Sequence, residues 1–234
     1  MRAFLRRRLS REEAVGLSFT LSFLACAGLA VAIAWLALDV REGGGRLGAL
    51  DLLVGGALAA NRSERLNDAM AVLTMLGDHR FLVLATPAVA LTLWFSKHHV
   101  SALLFAGSVV GGFGLSTLMK IAVARARPDL WVALVSETSY SFPSGHTVMA
   151  TVFFGGLAAT VFHLSRDRLA RALAAGGAFL FASGVAVTRV YLGAHWATDT
   201  IAGMLTGLIW VVVYSATTET VTRARARRKT ESAA

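Results

Sequence analysis

The chain of 234 residues is 56% hydrophobic and only 16% charged, which leaves too little polar surface for a soluble domain of this length and excludes that class. Its net charge of +9 concentrates at the two ends, in Arg2, Arg6, Arg7, Arg8 and Arg11 and again in Arg223, Arg225, Arg227, Arg228 and Lys229. Basic clusters that flank apolar segments read as cytoplasmic, lipid-facing ends, so membrane lipids are expected as partners and nucleic acid is not.

In chain order, a first span at 14–38 follows the basic front. Its apolar part is too long for a secretory signal, and no small-residue cleavage site closes it, so an uncleaved span is expected. The single cysteine, Cys26, lies inside it and reads as packing. The stretch 39–78 contains Leu66, Met70, Leu73 and Leu76 at helical spacing behind a Ser63 cap, with Asn67, Asp68 and Asp78 at polar positions. That pattern predicts an amphipathic helix at the membrane surface. A further span at 47–60 would fall short of the roughly 20 residues a crossing needs.

Five more spans are expected at 79–96, 99–119, 146–164, 170–188 and 197–217. Six crossings return both ends to one side. The short connections carrying Lys97, His98 and His99 and Arg166, Arg168 and Arg171 fall on that same side, the cytoplasm. The stretches 39–78, 120–145 and 189–196 then lie outside. The expectation is one all-α polytopic domain over 1–234, with a cytoplasmic N-terminus at 1–13 and a cytoplasmic tail at 218–234. Gly107 with Gly111, and Gly203 with Gly207, have the spacing of close helix packing. Trp35, Trp94, Trp131, Trp196 and Trp210 mostly read as interfacial anchors.

Ionisable groups at the outer ends of the spans are costly and point to function. Lys120, Arg127 and Arg189 supply positive charge and a large set of donors, two of them as planar forks matched to phosphate oxygens. Ser144 and Gly145 open the fourth span, where free backbone N–H groups and the helix dipole favour an anion, and Pro143 presets the entry turn. His195 and Asp199 are four apart, so on a helix the carboxylate can hold one ring nitrogen while the other faces the ligand. That is a nucleophile with its orienting partner. His146 arrives from another span and can donate a proton to the leaving oxygen, and the two rings together predict a bell-shaped pH profile. Three cations with one obvious carboxylate make poor metal ligands, so neither metal nor cofactor is expected.

These residues resemble the type 2 phosphatidic acid phosphatase superfamily, the lipid phosphate phosphatases. KIAVARARP, PSGH and TRVYLGAHWATD fit its three-part signature, in order, across residues 120–199. The resemblance implies that Lys120, Arg127, Ser144, Gly145 and Arg189 bind phosphate, that His146 is the general acid, and that His195 and Asp199 are nucleophile and orienter. Thr188 stands where the family has serine, which bears on how Arg189 is positioned. The remaining histidines, His79, His98, His99 and His163, read as structural, and Asp129 and Glu137 as solvated loop residues.

The implied function is a phosphatase of the bacterial inner membrane acting on a lipid phosphate at the extracytoplasmic face. Undecaprenyl diphosphate, phosphatidylglycerophosphate and phosphatidic acid all fit, with undecaprenyl diphosphate favoured by resemblance to small bacterial members. The alternatives are a lipid phosphotransferase with the same site and, from another class, a membrane transporter with a charged path. Oligomeric state is not legible.

Overall fold

The computed structural model describes residues 17–43 and 45–231, and among these it contains helices and no strands. Helices α1 (Leu17–Arg41), α2 (Gly45–Ala60) and α3 (Glu64–Thr74) lead through a 3₁₀ turn (Met75–Gly77) into α4 (His79–Phe95). The bundle is completed by α5 (His99–Val123), α6 (Gly145–Leu164), α7 (Arg168–Tyr191) and α8 (Ala197–Glu231). Five of these helices are long and apolar enough to cross a membrane, and α3 with α4, bent by 48° at their junction, makes a sixth if the pair counts as one span. The protein is therefore an all-α polytopic membrane protein.

Local chemistry explains most helix starts. Ser63 caps α3 by accepting from the Leu66 N–H at 3.4 Å, as its sequence position predicts. Asp78 caps α4 through the Arg80 N–H at 2.7 Å, and Asp167 caps α7 through Leu169 at 3.0 Å. At its far end α5 stops where Ala124 enters the left-handed region at φ 51°, its N–H bonded to the Lys120 carbonyl, and the chain turns into the loop 124–144.

The central element is α6, with 11 of its 20 residues buried; it packs along α7 and α8. α8 approaches it so closely that a Cβ on Gly203 would stand 2.9 Å from the Ser144 carbonyl, and one on Gly207 would stand 2.5 Å from Thr151 Cβ. Gly111 plays the same part against the Trp210 ring, whereas Gly107 faces open space, so only half of that pair is packing. Phe105, Val148, Val152 and Phe153 form the core between α5 and α6, joined by Tyr214 of α8.

Connectivity gathers the start of α4, the end of α5, the start of α6, the end of α7 and the start of α8 at one end of the bundle. α1 runs antiparallel to α8, with Leu36 packed near Ala202 and Cys26 beside Ile209. The first described residue and the last thus lie at the end opposite the motif residues. Two expectations change in detail. α2, too short to span, is nonetheless a regular helix packed on α1, α7 and α8. α8 continues without a break past 217 to Glu231, so the described part of the tail is helical, with Arg223 paired to Glu219. The basic front, 1–13, the start of the first span and the last three residues of the tail lie outside the described residues, as do the side chains of Arg227, Arg228 and Lys229.

Candidate active site

His195 sits in the short α7–α8 turn, 1% exposed. Its Nδ1 lies 3.4 Å from Asp199 Oδ2, the i,i+4 relation that the sequence predicts. Its Nε2 lies 3.3 Å from Nη1 of Arg127. A guanidinium can only donate, so Nε2 must accept, and the ring proton belongs on Nδ1, facing the carboxylate. Burial lowers the His195 pKa to about 3 against the pull of Asp199, and Arg189 and Arg127 act in the same direction as burial. The ring is therefore neutral at physiological pH, with a lone pair on Nε2.

Asp199 is wholly buried and fully engaged. Oδ2 accepts from the Ser141 hydroxyl and from the Trp196 N–H at 3.0 Å, and Oδ1 accepts from Arg125 at 2.6 Å. The hydroxyl of Ser141 also lies 3.4 Å from His195 Nδ1, completing a compact cluster behind the imidazole.

The three signature cations converge on the same place. Arg127 is anchored by Nε to the Ser139 carbonyl at 2.8 Å and by Nη1 to the Ala194 carbonyl at 2.6 Å. Arg189 is 1% exposed; its Nη1 donates to Thr74 at 3.1 Å, its Nη2 to Glu137, and its Nε has no protein partner. Lys120 donates to the Tyr140 carbonyl. Thr188 spends its hydroxyl on the Val185 carbonyl at 2.6 Å, within its own helix, and leaves the Arg189 fork free to reach the site.

At the start of α6 the roles shift. Ser144 is buried, with its hydroxyl accepting from Thr147 at 3.0 Å and its N–H donating to the Asp199 carbonyl at 3.0 Å. The serine thus ties α6 to α8. A Cβ on Gly145 would meet only Ser116 and Lys120 at ordinary contact distances, so no protein neighbour demands glycine there. His146 Nε2 lies 3.5 Å from Asp78 Oδ2. That approach depends on Gly77, whose Cβ would stand 2.6 Å from the His146 carbonyl oxygen.

Glu137 departs from its expected place in a solvated loop. Its carboxylate bonds Arg189 and lies 3.7 Å from Arg127, so it occupies the cation cluster itself. Burial opposes its ionisation, but Arg189, His146, Arg127 and His195 together hold its pKa below the usual carboxylate range. Both imidazoles therefore lie within the field of one carboxylate. Asp129 is exposed, as expected. His163 bonds Ser215 at 3.2 Å and His99 stacks edge-on against Trp94, both away from the site. Among the described residues no three His, Cys, Asp or Glu side chains group so as to hold a metal ion.

An apolar cavity of about 680 Å³ between α4 and α5 begins at His79, next to Asp78. It runs past Leu82, Pro87 and Leu103 to Trp94.

The fold and the site together define a polytopic helical membrane protein that gathers two imidazoles and three cations around Glu137 at one end of its bundle. Residues 100–223, more than half of the chain, match the PAP2 superfamily, and the chain belongs to that family. Phosphatidylglycerophosphatase B of Bacillus subtilis is 30% identical over 179 residues, covering 75% of this chain and 86% of the relative. Undecaprenyl-diphosphatase of Sulfolobus acidocaldarius is 28% identical over 152 residues, covering 63% and 68%. The crystal structure of a transmembrane PAP2-type phosphatidylglycerolphosphate phosphatase from Bacillus subtilis superposes with a TM-score of 0.74 at 27% identity, covering 81% of this chain and 93% of the other.

Proposed function

We propose that this protein is a metal-independent phosphatase of the bacterial inner membrane that removes a terminal phosphate from a lipid phosphate or diphosphate through a phosphohistidine on His195. The observation that carries the proposal is the seating of the His195 ring, with Nδ1 3.4 Å from Asp199 Oδ2 and Nε2 3.3 Å from Arg127 Nη1. The substrate phosphate takes the donors of Lys120, Arg127 and Arg189 and the free N–H groups at the start of α6. Nε2 attacks phosphorus, the bond to the lipid oxygen breaks, and that oxygen takes the proton of His146. His146, now neutral, then takes a proton from the water that displaces Nε2 from phosphorus, and phosphate leaves. Preorganised donors of this kind are worth about 2.7–4 kcal/mol each in the barrier, so a cluster of cations can do the work of a metal.

The apolar cavity that begins at His79 favours a substrate with a hydrocarbon tail. Phosphatidylglycerophosphate, undecaprenyl diphosphate and phosphatidic acid are the candidates, since all three combine such a tail with a terminal phosphate. The site lies at the bundle end opposite the basic tail, which supports an extracytoplasmic location with both termini in the cytoplasm. The test is phosphate release by purified protein in excess chelator from phosphatidylglycerophosphate, undecaprenyl diphosphate and phosphatidic acid, with and without an alcohol acceptor. Acid-labile ³²P on wild type and none on His195→Ala is the expected result. Turnover that needs an added divalent ion, or labelling that survives His195→Ala, would remove the proposal, and transfer to the alcohol in preference to water would make the enzyme a phosphotransferase.

A further inference from the structure

We infer that Arg125, held between Asp51 and Asp199, is a positioning residue that fixes the Asp199 carboxylate behind the nucleophile, and that Asp51 of α2 is its anchor. The inference rests on the phosphohistidine reading of His195. Arg125 falls within the first motif at a position the signature leaves open, and Asp51 lies well outside it.

Arg125 Nη1 donates to Asp199 Oδ1 at 2.6 Å and to the Thr198 hydroxyl at 2.7 Å. Nη2 donates to Asp51 Oδ2 at 2.6 Å, and the guanidinium carbon lies 5.2 Å from the Trp196 ring centroid. Asp51, 1% exposed, accepts from the Thr198 N–H at 2.8 Å and from its hydroxyl at 2.7 Å, so it also fixes the first turn of α8, where Asp199 stands. The main chain adds a second grip: the Arg125 carbonyl accepts from the Ser141 N–H at 2.9 Å, and Ser141 donates to Asp199 Oδ2. Both oxygens of the orienting carboxylate are thereby held from one residue. The shared cation offsets the repulsion between two buried carboxylates.

The forked geometry is specific. The guanidinium reaches both acids and Thr198 from two separate nitrogens in one plane, which the single nitrogen of a shorter lysine does not reproduce. Arg125 stands apart from the cations proposed to bind phosphate, because Nη1 and Nη2 are turned to the acids and Thr198. It opens instead onto a separate cavity of about 750 Å³ lined by Arg41, Gly48, Asp51 and Trp196.

Charge and position predict opposite signs. The positive field of Arg125 weakens the hold of Asp199 on a developing positive imidazole, so electrostatics alone would make Arg125→Ala faster. Loss of position makes it slower, because misplacement by about 1 Å costs on the order of a hundredfold.

The experiment measures kcat and KM of the full-length protein in mixed micelles with p-nitrophenyl phosphate for Arg125→Ala, Arg125→Lys, Asp51→Asn and His195→Ala. Arg125→Ala is expected to lose kcat by about 10- to 100-fold with KM within about twofold, and millimolar guanidinium, entering from the cavity, to restore part of it. Arg125→Lys is expected to stay impaired, and Asp51→Asn to lose about three- to tenfold in kcat. A folded Arg125→Ala with unchanged or higher kcat, a loss carried in KM, or full recovery in Arg125→Lys would overturn the inference. Should Arg125→Ala not fold, the near-isosteric Asp51→Asn decides, and wild-type kcat there overturns it. Full activity in His195→Ala would instead remove the nucleophile reading on which the inference rests.

Discussion

The carboxylate of Glu137 bonds Arg189, whose side chain is 2% exposed, and its second oxygen lies 3.7 Å from Arg127. On the proposed reading an incoming phosphate takes those same donors and competes with Glu137 for them. A hydrogen bond to a charged group is worth about 1.5–3 kcal/mol. In Glu137→Gln the amide oxygen still accepts from Arg189 but the charge is gone, so the lower end of that range applies. At about 1.4 kcal/mol per tenfold, inorganic phosphate and orthovanadate should inhibit Glu137→Gln about tenfold more tightly than wild type. Because Glu137 is held below the usual carboxylate range, it stays ionised from pH 5 upward. The tenfold gap should therefore persist between pH 5 and 8. The assay is competitive inhibition of aryl phosphate hydrolysis by the purified protein in micelles. Equal or weaker inhibition of the variant would refute the reasoning, because it would mean that the carboxylate and the phosphate do not share a seat.

Three further outcomes are expected. His195→Ala should lose turnover of every substrate, whereas His146→Ala should lose lipid turnover but retain a measurable share with aryl phosphates, whose leaving groups need no proton; comparable losses with both substrate types would take the acid role from His146. In ¹⁵N NMR of histidine-labelled protein, His195 should appear as the neutral Nδ1–H tautomer from pH 8 down to pH 5, since burial lowers its pKa from 6.5 to about 3 and the ring gains a proton only below that window; an imidazolium signal at pH 6 would contradict the assignment. Gly207→Ala should lower the thermal stability in detergent by about 1–3 kcal/mol, because the new methyl would stand 2.5 Å from Thr151 Cβ. Gly107→Ala, with nothing within 4 Å of its Cβ, should be neutral, and equal melting of the two variants would count against the α6–α8 contact.

The comparison between chain and fold is clearest residue by residue. Lys120, Arg127, His146, Arg189, His195 and Asp199 were legible because each is an ionisable group at the end of an apolar run, where its cost demands a purpose. The helical interval from His195 to Asp199 already implied that they share a face. Glu137 carried no such mark: a single acid in a polar loop looks solvated, and only its partner, 52 residues away, reveals otherwise. Asp78, at the start of an apolar run, and Asp51, whose partner Thr198 is 147 residues away, were not read as site residues. A cue for Asp51 did exist: it is the lone acid in an apolar 16-residue helix. Ser144 was legible as a site residue, but its engagement with Thr147 and with the Asp199 carbonyl was not.

Hydropathy by itself determined that this chain crosses a membrane several times, and the placement of charged groups at span ends determined which end of the bundle holds the candidate site residues. Both follow from the cost of polar groups in hydrocarbon, a local property that each segment bears alone. What only the tertiary structure decided is how those groups share one another: Glu137 on Arg189 and Arg127, Arg125 between two buried acids, Gly77 against the main chain of His146. Such pairings depend on the close approach of helices and loops that are distant in sequence, and no single segment records its partner.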